Sequence, residues 1–206
     1  MNLAANAPSK AEQRAQAQRT RILDAARRCF TESGFHGASI GAIAEAAGMS
    51  QGLIYRYFTN KAAIVHAIVD QQRLGRVEAL AGIASCHALV DLVMTKLERW
   101  RASGGTFDRE FDPILFLEIT AEATRDPDVA AVLAAHEQSV WCDLSDVIRR
   151  DARASGLALD EAQVEQRTIA LRCLVDGAIL NWIRDPSMDA AQLRSSLQAA
   201  CNTLLT

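Results

Sequence analysis

A single glycine constrains this chain more than any other residue. In the stretch Ser39–Lys61, SIGAIAEAAGMSQGLIYRYFTNK, Gly48 separates two short runs of helical apolar spacing. Ile40, Ile43, Ala44 and Ala47 place one apolar stripe on a helix that Ser39 can cap, and Gly48 can take the left-handed conformation that ends it. Met49 plugs the turn, and Ser50 caps a second helix in which Ile54 and Phe58, four residues apart, face the first. The pattern is a helix-turn-helix. Gln51, Gly52, Leu53, Tyr55 and Arg56 are then left pointing outward or sideways, a face that suits the major groove of DNA.

The run Ser50-Gln51-Gly52-Leu53-Ile54-Tyr55-Arg56-Tyr57-Phe58, followed by Asn60-Lys61, resembles the recognition helix and fourth-helix start of TetR-type (TetR/AcrR-like) transcriptional regulators. The resemblance covers about the first third of the chain. One departure is Ala62-Ala63, where the family often carries acidic residues. The resemblance implies a repressor that binds a palindromic operator in double-stranded DNA as a homodimer and is released by a small-molecule effector. On this reading Ser39, Ser50, Gln51, Gly52, Leu53, Tyr55, Arg56, Tyr57 and Lys61 meet DNA. Gln51 suits an adenine edge, Leu53 a thymine methyl and Arg56 a guanine or a phosphate, while Ser39, Tyr57 and Lys61 hold phosphates.

Charge supports the same end of the chain. Residues 1–61 hold 8 Lys and Arg against 4 Asp and Glu, a balance of +4, whereas the remainder carries −7 and the total is −3. A basic first third and an acidic body argue for one nucleic-acid surface. Residues 1–12 read as a mobile arm, with Lys10, Arg14 and Arg19 in reach of phosphate. The five cysteines are odd in number, dispersed and never in a C-x-x-C pair, which fits free thiols in a cytoplasmic protein rather than a disulfide or zinc framework. Cys29 and Cys173 read as small buried hydrophobes. No signal-peptide h-region or membrane span is visible.

Further along, capping residues mark one helix after another. Asn60 starts a long fourth helix through Ile64, Val65, Ile68 and Val69 toward Leu80; Leu89, Val93, Leu97 and Trp100 stripe a fifth; Asp112-Pro113 and Asp126-Pro127 each start another. Asp160 and Gln163 form a capping-box pattern before a strongly apolar helix that Asp185-Pro186 stops, and Leu193, Leu197, Ala200 and Leu204 stripe the last. No strand alternation appears. The expectation is an all-α chain of about nine helices. Residues 1–60 form a three-helix DNA-binding domain with its arm, and residues 61–206 a larger domain for effector binding and dimerisation.

The resemblance implies that the last two helices pair across a two-fold axis, through Leu171, Leu174, Ala178, Trp182, Leu193, Leu197 and Leu204. It also places an effector cavity among the fifth to eighth helices, with Trp100, Phe107, Phe111, Phe116, Glu118, His136, Trp141 and Asp176 as candidate lining. Aromatic walls and carboxylates suggest an apolar, aromatic or cationic compound, of identity the sequence does not name. Catalytic elbows, phosphate loops and metal spacings are missing, so no catalytic residue, metal or cofactor is expected and the chain reads as no enzyme. A corepressor-dependent regulator and a helical ligand-binding protein remain as alternatives.

Overall fold

The computed structural model describes residues 9–105 and 111–204, and among these it contains nine helices and no strand. Helix α1 (Lys10–Gly37) starts at a capping box in which Ser9 accepts from the Glu12 amide and the Glu12 carboxylate accepts from the Ser9 amide. The helix therefore begins earlier than the expected arm allows, because that box satisfies orphan amide groups at both ends of the first turn. Gly34 (φ 71°) breaks it and turns Phe35 back into the core.

Helices α2 (Ile40–Ala47) and α3 (Gln51–Tyr55) follow, capped by Ser39 and Ser50. Between them Gly48 sits at φ 61°, ψ 44°. The left-handed backbone calls for glycine, while the Arg21 guanidinium, 2.6 Å from where a Cβ would stand, is the end of a flexible exposed side chain that could move aside. Helix α4 (Lys61–Ala81) starts at Asn60, whose side chain accepts from the Ala63 amide. Then come α5 (Cys86–Ala102), α6 (Pro113–Ala123), α7 (Pro127–Ala154), α8 (Glu161–Arg184) and α9 (Ala190–Leu204). The caps read from sequence at Asp112, Asp126 and Asp160 all accept amide protons of their own first turns.

Two apolar clusters hold these helices together. The first joins Ile22, Phe30, Ile43, Ile54, Ile64 and Ile68 of the first four helices to Leu115 and Ile119 of α6 and Val129 of α7. The second unites Leu89, Met94 and Leu97 of α5 with Leu144 and Ile148 of α7, Leu171 and Trp182 of α8, and Leu197 and Cys201 of α9. Long α4 and α7 run through both.

Polar groups fasten the second cluster where apolar packing alone would slide. The Trp182 indole donates to the Leu97 carbonyl at 3.1 Å, and Arg101 lies 3.3 Å over the Trp182 ring. Arg101 also donates to the carbonyls of Trp182, Asp185 and Met188, so a cation from α5 closes the carbonyl end of α8. At the opposite end buried Asp151 accepts from the Cys86 amide.

Several placements differ from the sequence reading. Leu171, Ala178, Trp182 and Leu197 lie in the chain's own second cluster and do not face outward. Period alone marks a helix face as buried without saying against what. Cys173 is exposed, because the apolar circumference of α8 includes a side that this chain does not cover, while Cys86 and Cys201 are buried. Leu174 and Leu193 are half-buried. Phe107 and the Leu204 side chain lie outside the described residues. Leu171→Ala is expected to lower unfolding free energy by about 2–5 kcal/mol in urea titration; a loss near zero would mean that the second cluster does not depend on it.

Candidate nucleic-acid interface and its link to an internal cavity

The candidate reading surface is small. On α3 Gln51, Gly52, Tyr55 and Arg56 are exposed, Tyr55 to 54%, and Leu53 is half-buried. Ile54 and Phe58 are buried beneath them and fix which side faces out. The Gln51 amide lies over Gly41, where a Cβ would come within 2.9 Å of its nitrogen. A Cβ on Gly52 would meet nothing within 4 Å, so the glycine keeps the centre of the face low without being required by its surroundings. Ser39 and Ser50 are exposed, but their hydroxyls already accept from the amides of Ala42 and Leu53. Arg19 stacks 4.6 Å over the Phe58 ring, on the flank of the same surface.

Tyr57 and Lys61 are half-buried. Lys61 reaches inward: its ammonium donates to the Phe35 carbonyl at 2.8 Å and sits 4.3 Å over the Phe35 ring. It thereby anchors the start of α4 to the short stretch after the Gly34 break in α1, the Phe35 loop that leads toward α2.

Helix α6 grips that loop from the other side. The Phe35 amide donates to the Glu118 carboxylate at 3.2 Å, and His36 Nε2 lies 2.9 Å from the Glu122 carboxylate, which is itself buried. The Phe35 ring stacks on Phe30 with centroids 5.1 Å apart. Closer to the start of α6, Thr31 donates to the Asp112 carboxylate at 3.2 Å, and Asp112 also caps the helix through the Leu115 amide. Fully buried Arg27 on α1 donates to Gln71 of α4 at 2.9 Å. The sequence reading missed this junction. A hydrophobic stripe with an arginine in it, and two glutamates four residues apart, gave no sign that they meet.

Behind the junction lies a cavity of about 190 Å³ between α4, α5, α6, α7 and α8. Leu80, Leu89, Leu92, Val93, Val140 and Ile179, with Phe111 and Phe116, supply most of its apolar wall. Polar groups at the margin are Gln72, Arg76, Lys96, Asp112, His136, Arg172 and Asp176. Burial, and then the charges of Arg76 and Arg172, lower the His136 pKa to about 4, so the ring is neutral near pH 7. Burial likewise raises the Asp112 pKa.

Of the expected lining residues, Phe111, Phe116, His136 and Asp176 are brought together here. Trp100 is not among the lining residues, and Trp141 lines a separate depression with Glu137 and Gln138. Glu118 belongs to the Phe35 junction instead, because its place on α6 turns it toward α1. Arg76 and Arg172, which the sequence reading did not single out, stand at the cavity. Among the described residues no group of three or more His, Cys, Asp and Glu is placed to hold a metal ion, and no helix is long and apolar enough to cross a membrane.

Residues 22–68 match bacterial regulatory proteins of the tetR family, and residues 106–206 match the C-terminal part of BetI-type transcriptional repressors. The HTH-type transcriptional regulator UidR of Escherichia coli is 31% identical over 93% of this chain and 95% of its own length. The structure of Salmonella enterica GusR, 26% identical, superposes with a TM-score of 0.70 over 90% of this chain and 96% of that one. A regulator from Saccharomonospora viridis solved with choline shares the fold, with TM-score 0.68 and 22% identity over 90% of this chain and 95% of that one.

The open space at Gly52 yields a test that separates folding from reading. Gly52→Ala should hold or raise stability, by up to about 1 kcal/mol, because alanine is the better helix former. The same methyl should weaken binding to a cognate DNA site at least several-fold in a fluorescence anisotropy titration. Unchanged affinity would place the groove-facing surface elsewhere.

Proposed function

We infer, because this chain belongs to the tetR family of bacterial regulatory proteins and is a DNA-binding transcriptional regulator, that it represses from a palindromic operator as a homodimer and is released by a small molecule. Residues 1–60 are the reader and residues 61–206 the sensor and dimerisation unit. Gln51, Gly52, Leu53, Tyr55 and Arg56 face base edges, with Gln51 suited to adenine and Arg56 to guanine or phosphate. Ser39, Ser50 and Tyr57 line the phosphate side. Lys61 contributes there by fixing the start of α4, given its bond to the Phe35 carbonyl. The protein works in the cytoplasm, where its operator is, and catalyses no reaction.

One observation carries the regulatory part: two of the helices that wall the cavity, α4 and α6, also hold the Phe35 loop. Helix α4 presents Gln72, Arg76 and Ala79 to the cavity and Lys61 to Phe35; α6 presents Phe116 to the cavity and Glu118 to the same residue. A ligand that spreads α4 from α6 pulls on both sides of the loop that leads into α2. Two α3 helices on successive major grooves must keep a spacing of about 34–36 Å, so a small tilt lowers affinity. A tenfold release requires only about 1.4 kcal/mol of differential binding between the two arrangements. The choline-bound neighbour of the same fold supports a small organic molecule as the effector.

Dimerisation is assigned to the side of α8 that the chain leaves open. Ile169 is 50% exposed, and Cys173, Gly177 and Leu180 succeed it at helical spacing. Nothing lies within 4 Å of a Cβ on Gly177, which leaves room for a partner helix to approach. A short reader helix covers only a few base pairs, so a second copy is needed for a specific site.

Two measurements check this reading. Ile169→Lys should shift the protein from dimer to monomer in sedimentation equilibrium and weaken operator binding at least tenfold while leaving the helical signal intact; a variant that stays dimeric would remove α8 from the interface. Glu118→Ala should leave ligand-induced thermal stabilisation in place but reduce the fold-release of operator by that ligand several-fold. If release is undiminished, coupling does not pass through the Phe35 loop.

A further inference from the structure

We propose that the ligand of the α4–α8 cavity is an uncharged, ring-sized, mostly apolar molecule bearing a hydroxyl group, and that His136 recognises the hydroxyl. This rests on the reading of the cavity as the effector site and adds the chemical class of what enters it. Size comes first. The volume of about 190 Å³ is somewhat larger than the roughly 150 Å³ apolar cavities that hold a benzene ring, so one or two fused rings fill it and anything longer would protrude through its open side. The wall is made of aliphatic side chains with Phe111 and Phe116, which favours a flat apolar body.

Charge is the second constraint. The cationic groups at the margin are already engaged. Arg76 donates to the Asp143 carboxylate at 2.8 Å and to Ser139 at 2.9 Å. Arg172 lies 2.7 Å from both Glu137 and Asp176, and Lys96 also has a partner. Among the acids, Asp176 is matched by Arg172, while Asp112 accepts from Thr31 and from the Leu115 amide. An anionic ligand would meet guanidiniums whose charge carboxylates already balance, and a cationic one would find no carboxylate without a partner; either would lose its own hydration on entry. Charge neutrality is therefore the least costly property for an occupant. The cationic class suggested by the sequence loses its basis, since Glu118 faces Phe35 and Asp176 is paired.

His136 is the exception to this saturation. It lines the cavity, its ring stands 6.4 Å from that of Phe116, and Nδ1 is buried with no hydrogen-bond partner. An imidazole that stays neutral has one N–H and one lone pair, so it can serve as donor or acceptor. A hydroxyl can answer either tautomer, because it donates one proton and accepts at two lone pairs. A carboxylate could accept from one tautomer and an ammonium donate to the other, but each brings a charge that must lose its hydration. The buried polar atom thus favours a neutral hydrogen-bonding group, of which a hydroxyl answers either tautomer, and leaving its bond unmade disfavours a ligand that lacks one.

Four probes of the same shape test the class by isothermal titration calorimetry on the full chain without DNA: 2-naphthol, naphthalene, 2-naphthoate and 2-naphthylmethylammonium. We expect 2-naphthol to bind at least tenfold more tightly than each of the others. In His136→Phe the gap between naphthol and naphthalene should close to within about threefold, with naphthalene affinity retained, which a merely structural role for His136 would not produce. His136→Gln, which keeps a donor and an acceptor, should restore part of the preference. Tightest binding by the naphthoate or the ammonium, equal binding of naphthol and naphthalene, or no binding by any probe would each overturn the proposal. Binding of naphthol with no change in operator affinity would instead overturn the coupling and leave the ligand class standing.

Discussion

The bond from the Phe35 amide to the Glu118 carboxylate is the contact on which the rest of the arrangement turns. Phe35 comes directly after a glycine at φ 71°, where a Cβ would come within 3.3 Å of that same carboxylate, so the loop, the glycine and the acid require one another. The ring is pinned by Phe30 below and the Lys61 ammonium above, and the carbonyl is held by the same ammonium. One residue thus receives its position from α1, α4 and α6 together. A few residues later the chain reaches Ser39, the cap of α2, and after that the Gly48 turn and α3. The orientation of the reading helix is inherited from a phenylalanine that never approaches its face.

Apolar packing alone would not give such a junction a defined geometry. The first cluster mixes Ile22, Ile64 and Ile68 with Leu115 and Ile119, a surface of branched aliphatic groups that tolerates small slides. Directional bonds restrict it. Arg27 with Gln71, Thr31 with Asp112 and His36 with Glu122 fall on three successive levels along α1 and its exit, and each has a partner on α4 or at α6. Moving either helix by an ångström or two stretches these bonds beyond hydrogen-bonding range, so the junction has discrete arrangements where a greasy contact would have a continuum.

How much of this was legible in the sequence depends on the range of the interaction. Helix starts were readable because their causes are local: Ser39, Ser50, Asn60, Asp112 and Asp160 each bond to an amide two or three residues away. The helix-turn-helix was readable from Gly48 for the same reason. Partner choice was not. Periodicity marked Leu171 and Trp182 as buried without distinguishing their own α5 and α7 neighbours from a second copy of the chain. Aromatic residues at helical spacing put Phe111, Phe116 and Trp141 in one set, whereas Phe111 and Phe116 line the cavity and Trp141 lines the separate depression beside Glu137. Glu118 was visible as an acid on an apolar helix, but its use is set by a backbone amide 83 positions earlier.

On the proposed regulation, the energetics favour the polar junction over the apolar core as the element for a ligand to move. Separating two packed apolar surfaces forfeits burial in proportion to area, and even a modest patch costs more than a small molecule in a cavity of about 190 Å³ can return. Breaking one hydrogen bond whose groups can pass to water costs about 0.5–1.5 kcal/mol. His36 lies at the protein surface and can pass to water, whereas its partner Glu122 is buried and keeps Arg125, at 3.8 Å, when the pair opens. Arg27 cannot make that exchange, being fully buried. The junction is therefore graded: its inner bond at Arg27 is sealed from water, while its outer bonds have half-buried Glu118 and exposed His36 as members, so on the proposed regulation these are the ones for a ligand to trade. Loss of one or two of them already matches the free energy that a tenfold change in DNA affinity requires.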